Sequence, residues 1–133
     1  VYGVSTLTMP TDTGKYYCEF TVLSGNPLVG TAEAGSDPTS TGNYFYPEAA
    51  VNTVLGVIYD STAKSSRLYV NGAFSETQSN LPNVTVIFAS SPKYGNAGNV
   101  EFNFGQQPFA FATNNMNGTA TRQWCLVLRH SPW

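Results

Sequence analysis

Catalysis by side chains needs a proton carrier, a nucleophile within its reach, or two carboxylates held at a fixed separation. This sequence supplies each of these sparingly. Its one histidine, His130, stands near the C-terminus between Arg129 and Ser131. A general base must be oriented by a second group and must face a nucleophile, and no Gly-x-Ser-x-Gly elbow is present. The acids are Asp12, Glu19, Glu33, Asp37, Glu48, Asp60, Glu76 and Glu101, and no strand-like run carries two of them at i, i+2 or i, i+4. Glu19 and Glu101 fall in separate runs and can meet only through the fold. Each reads first as a structural carboxylate, bonded to backbone or to a lysine. Zinc would need a His/Cys cluster and calcium an Asp-x-Asp-x-Asp-Gly loop, and neither occurs. Gly95–Gly98 lacks the Lys-Ser/Thr that follows a phosphate-binding glycine loop. The residues therefore predict no catalytic group, no metal and no cofactor.

Binding chemistry is better represented. Tyrosine offers a large contact area, little conformational entropy to lose and a hydroxyl. Tyr44-Phe45-Tyr46 closes a polar loop ahead of Pro47. Alternation predicts Phe45 in the core, with Tyr44 and Tyr46 equally open to facing outward or inward. Tyr94 lies among loop formers in Ser91-Pro92-Lys93-Tyr94-Gly95-Asn96. Asn43, Asn96, Asn114 and Asn115 can offer amide donors and acceptors to a sugar or a peptide, and each is also an ordinary turn residue.

The elements that must hold these groups are strands. At 133 residues, with 41% hydrophobic side chains, the chain suits one domain spanning 1–133 with a substantial core. Charged residues make up 11%, against about 25% in an average soluble domain, so Asn, Ser, Thr, Gly and Gln carry the polarity. A net charge of −2 with six scattered Lys and Arg argues against nucleic acid, which needs clustered cations. No run reaches the roughly 18 apolar residues of a membrane span, and no signal peptide is visible. The chain does not begin with Met, which fits a processed product or part of a longer polypeptide. Cys18 and Cys125 can form one disulfide, but Cys18, set in an aromatic strand, reads first as a buried, inert thiol.

Val4–Met9, Lys15–Leu23, Leu28–Ala32, Val54–Asp60, Arg67–Val70, Val84–Ala89 and Asn99–Phe104 read as strands, with Leu126–Leu128 a candidate for the last. In the second, Tyr16, Cys18, Phe20 and Val22 share one face while Tyr17, Glu19 and Thr21 share the other. Asn71-Gly72 is the strongest turn signal. Gly35–Gly42 has the composition of a loop, and a helical turn is expected near Glu48–Val51.

Five motifs in order resemble the SPRY (B30.2) family. They are Gly14-Lys15-Tyr16-Tyr17-Cys18-Glu19-Phe20-Thr21-Val22, Leu28-Val29-Gly30-Thr31-Ala32, Val54-Leu55-Gly56-Val57-Ile58-Tyr59-Asp60, Arg67-Leu68-Tyr69-Val70-Asn71-Gly72 and Asn103-Phe104-Gly105-Gln106-Gln107-Pro108-Phe109. Together they cover positions 14–109 and leave 110–133 as a C-terminal extension. Cys18 departs from the aromatic usual at its position, and the short segment between Ala32 and Val54 departs from many relatives. Ligands of the animal members therefore do not carry over. The Asn103–Phe109 ending with Ala110-Phe111 is most similar to SPRY domains of bacteriophage and other viral structural proteins.

The resemblance implies an all-β, two-sheet antiparallel sandwich of the concanavalin-like jelly-roll kind, non-catalytic, with recognition loops at one end. It implies a virion protein binding a host protein or glycan. The alternatives are a structural domain that decorates or cements a virion, or forms part of a tail, by docking on neighbouring subunits, and a cytosolic interaction adaptor. The corresponding locations are the virion or the cytoplasm.

Overall fold

The computed structural model describes residues 3–4, 7–91 and 98–111. Along these the chain forms β1 (Gly3–Val4), β2 (Lys15–Gly25), β3 (Leu28–Glu33), α1 (Pro38–Thr41), β4 (Asn43–Phe45), β5 (Val54–Asp60), β6 (Ser65–Val70), β7 (Ala73–Gln78), β8 (Val86–Ser91) and β9 (Gly98–Asn103). The strands make two antiparallel sheets, one ordered β1-β8-β3-β4 and the other β7-β6-β5-β2-β9. The all-β sandwich expected from the sequence is the architecture observed.

The sheets pack because β2, β5, β6, β3 and β8 each turn apolar side chains inward. Tyr16, Cys18, Phe20 and Val22 enter the central core with Val29, Phe45, Leu55, Val57, Tyr59, Leu68 and Phe88, so the alternation read along β2 holds. Phe20 and Phe88 meet edge-on across the two layers with ring centroids 6.2 Å apart, the arrangement that aromatic quadrupoles favour. Each such fully buried side chain contributes roughly 1.5–3 kcal/mol. Cys18 is completely buried, and Cys125 lies outside the described residues, as does Leu126–Leu128.

Two expectations about the β3–β5 region are corrected. The stretch Gly35–Gly42 holds a short helix, not only loop. Asp37 caps it by accepting from Thr39 N at 3.0 Å, with Pro38 entering the first turn. That bond and a second from the Thr39 hydroxyl hold the Asp37 carboxyl below its usual range, the hydroxyl bond leading. No helical turn forms at Glu48–Val51. Glu48 has φ 51°, and left-handed backbone within the segment is incompatible with a right-handed helical turn there.

The outer face of the five-stranded sheet is covered by the chain after β9. The Asn103 side chain organises this exit: Oδ1 accepts from Gly105 N at 2.9 Å, and Nδ2 donates to Pro108 O at 3.3 Å. Residues 104–111 then run as a strap. Phe109 and Phe111 pack against Tyr17, Ile58 and Tyr69, with Phe109 edge-on to Tyr17 at 5.0 Å. Glu19 fastens the strap. It is 2% exposed, and its carboxylate accepts from Ala110 N and Phe111 N at 2.8 Å each and from the Tyr17 hydroxyl at 3.0 Å. A structural carboxylate bonded to backbone is what the sequence predicts for it. Tyr17 can reach it because the facing residue on β5 is Gly56. A Cβ there would lie 2.5 Å from the Tyr17 oxygen.

Candidate functional site

Strand register fixes which loops share an end. Thr21 pairs with Val54, Leu55 with Val70 and Val70 with Ala73. The end of β2, the 46–53 loop and the Asn71-Gly72 hairpin therefore lie together. Val29 pairs with Phe45 and Leu28 with Ser91, which brings the exits of β4 and β8 to the same end.

These loops are held by backbone bonds. Asn52 N donates to Val22 O at 2.7 Å and Val22 N to Thr53 O at 2.9 Å, so the 46–53 loop zips onto β2 before β5 begins. Thr53 N closes a turn onto Ala50 O at 3.1 Å, and Ala49 packs against the core. Asn71 N donates to Val54 O at 2.9 Å, and the Asn71 side-chain oxygen accepts from Val54 N at 2.9 Å. With φ 48° at Asn71 and 84° at Gly72, both central residues are left-handed, as a type I′ turn demands.

On this frame sit the exposed large hydrophobics of the described residues: Leu23 at 50%, Tyr46 at 45%, Val51 at 52% and Phe74 at 51% exposure. Leu23 is next to the Val22 clamp, and Tyr46 follows β4 directly. Val51 precedes Asn52, and Phe74 is the second residue of β7. All four lie in the half of the sandwich nearest these loops. Single exposed apolar residues are ordinary; their gathering on one clamped end is the notable feature.

The residues singled out in the sequence divide. Tyr46 stands exposed on this end. Phe45 is buried, as expected. Asn43 and Tyr44 lie on β4 and are half-buried. Tyr44 packs with the Ala32, Ile87 and Ala89 cluster, and its hydroxyl donates to Pro38 O at 2.8 Å, so the ring seals α1 onto the sheet. Tyr94, Asn96, Asn114 and Asn115 lie outside the described residues, as does His130. Leu23, Val51 and Phe74 were not singled out in the sequence. The available signal for two of them was position, beside the Ser24-Gly25 and Asn71-Gly72 turns.

The acids do not assemble a reaction centre among the described residues. Glu19 faces Asn103 across the β2–β9 ladder while Glu101 faces Thr21, and the Glu19 oxygens are occupied by the strap. No group of three or more His, Cys, Asp or Glu converges there. At the opposite end Ser61 looks reactive by type, but its Oγ donates to Gly14 O at 2.7 Å and accepts from Thr13 N at 2.9 Å. It ties the β5–β6 turn to the start of β2. Burial pushes the Cys18 thiol well up, and the Glu19 charge adds to this, so the thiolate nucleophile is suppressed.

No family model matches the sequence, and no curated protein matches it. Among solved structures the chain is similar to the SPRY domain of human HERC1, with a TM-score of 0.60 at 12% identity. That likeness covers 80% of this chain and 84% of the other. The order of the strands, the Gly56 strand, the Asn71-Gly72 hairpin and the Asn103-Phe104-Gly105-Gln106 turn thus sit within a β-sandwich of the SPRY fold.

Proposed function

We propose that this chain is a non-catalytic recognition module that binds a protein through the loop end bearing Leu23, Tyr46 and Val51. The observation that carries the reading is the placement of exposed apolar side chains at the end of β2 and on a loop fixed to it by main-chain bonds. A preformed surface loses little entropy on binding, and tyrosine and aliphatic groups supply the buried contact that anchors protein interfaces. The SPRY fold supports the same reading, as do the structural commitments of Glu19 and Ser61. A virion setting is part of the proposal, and what supports it is the resemblance of the Asn103–Phe111 sequence to phage and viral members.

The test is a screen of the full chain against protein and glycan arrays, repeated with Leu23→Ser/Tyr46→Ala/Val51→Ser. The expected result is a protein ligand whose binding falls at least a hundredfold in the triple variant at unchanged melting temperature. Protein binding indifferent to the triple change, or binding confined to glycans, overturns the reading.

A further inference from the structure

We propose that the outer edge of β7 is a second docking strip, which takes an extended acidic peptide segment as an added strand. The proposal rests on the recognition reading but uses the adjoining sheet edge, which shares only Phe74 with the loop end. β7 ends the five-stranded sheet. One of its edges pairs with β6, and among the described residues no strand meets the other. Ala73–Thr77 are exposed throughout, so the outward N–H and C=O groups of this edge are a template for strand addition.

Side chains on the outer face define what would fit. The Arg67 guanidinium lies over the Phe74 ring at 4.3 Å, and Tyr69 meets the same ring edge-on at 5.8 Å. Phe74 is thus held in place while half its surface faces solvent. Arg67 Nε is buried without a hydrogen-bond partner, and the ion pair found among the described residues, Lys64–Asp12, is elsewhere. An arginine stacked on a half-exposed aromatic ring beside an open strand edge, with no ion-pair partner among the described residues, suits a carboxylate carried on a β-strand. Glu76 does not compete, because it stands opposite Leu68 and so belongs to the other face. The strip is short. A register shift between Leu68 and Tyr69 bends its start, and at its far end Gln78 Nε2 is committed to Tyr44 O at 2.9 Å. The occupant is therefore a segment of about five residues with Asp or Glu at its centre.

The experiment selects phage-displayed random heptapeptides on the full chain and maps the winners by amide exchange. The expected winners are enriched in a central Asp or Glu and slow the outward amides of β7, which exchange rapidly in the free chain. Arg67→Met, which keeps the stem over Phe74, lowers their affinity at least tenfold, and Arg67→Lys lowers it less. Glu101→Gln on the opposite edge strand changes nothing. The proposal is overturned by winners without an acid, by affinity indifferent to Arg67→Met, by no winners at all, or by outward β7 amides already slow in the free chain. Winners lost in Tyr46→Ala but not in Arg67→Met overturn this strip and leave the loop-end reading standing.

Discussion

Replacing Glu19 by glutamine changes one atom and tests how the strap is held. The carboxylate accepts three hydrogen bonds, from Ala110 N, Phe111 N and the Tyr17 hydroxyl, at 2.8, 2.8 and 3.0 Å. It is almost fully buried, so water does not replace a lost partner. An amide keeps one acceptor oxygen and turns an NH2 toward donors that have nowhere else to go. Hydrogen bonds to a charged acceptor contribute about 1.5–3 kcal/mol each, and a stranded buried donor costs about 1–3 kcal/mol. Removing one main-chain bond and neutralising the others sets the expected loss at about 2–4 kcal/mol. Urea titration followed by circular dichroism measures it. Amide exchange at Ala110 and Phe111 localises it, and both should lose protection before Val57 and Phe88 do. A loss under about 0.5 kcal/mol with both amides still protected would refute the latch.

The other expectations concern the same framework. Gly56→Ala places a Cβ 2.5 Å from the Tyr17 oxygen and 2.9 Å from its Cε1, so the ring must leave Glu19; overpacking of this kind costs about 1–3 kcal/mol, read as a lower urea midpoint. Gly72→Ala combines φ 84° with a Cβ 2.8 Å from the Phe111 ring and should cost a comparable amount while exposing the strap's end to protease. Raising the pH should destabilise the fold, because burial above all holds the pKa values of Cys18, Tyr17 and Tyr59 above their ordinary values, with the neighbouring acids Glu19 and Asp60 adding to it. These groups stay protonated when folded and ionise when unfolded. Stability is thus full below about pH 9 and declines above it, by about 1.4 kcal/mol per pH unit for each group that ionises only in the unfolded chain. A flat urea midpoint between pH 8 and 11 would contradict this.

How far the sequence showed this structure differs by element. Val54–Asp60 was legible to its ends because near-continuous apolarity marks a strand covered on both faces, and Tyr17 and Ile58 prove to be covered by the strap. The two faces of β2 were legible from period two alone. β7 was not, since Ala73–Gln78 lacks apolar alternation; an edge strand with one half-exposed aromatic has no need of it. α1 carried a readable signal in Asp37-Pro38, a capping residue followed by proline at the first helical position, but the surrounding Ser, Thr and Gly outweighed it. The turn expected at Glu48–Val51 did not form: Glu48 is left-handed, and Asn52 and Thr53 give their main-chain bonds to Val22 on β2. Tyr46 was identified by type, whereas the separation of Tyr44 from it depended on a distant partner, the Pro38 carbonyl. Leu23 and Val51 become neighbours of one surface only through the β2–β5 register.

The central claim is that one end of the sandwich does the binding, and backbone chemical-shift mapping on the isotopically labelled full chain with a captured protein ligand tests it most directly. The largest changes are expected at residues 23–26, 46–53 and 71–74, with Asp12–Gly14 and Ser61–Lys64 at the far end unmoved. Changes centred on the far end, with the 46–53 loop silent, would contradict it.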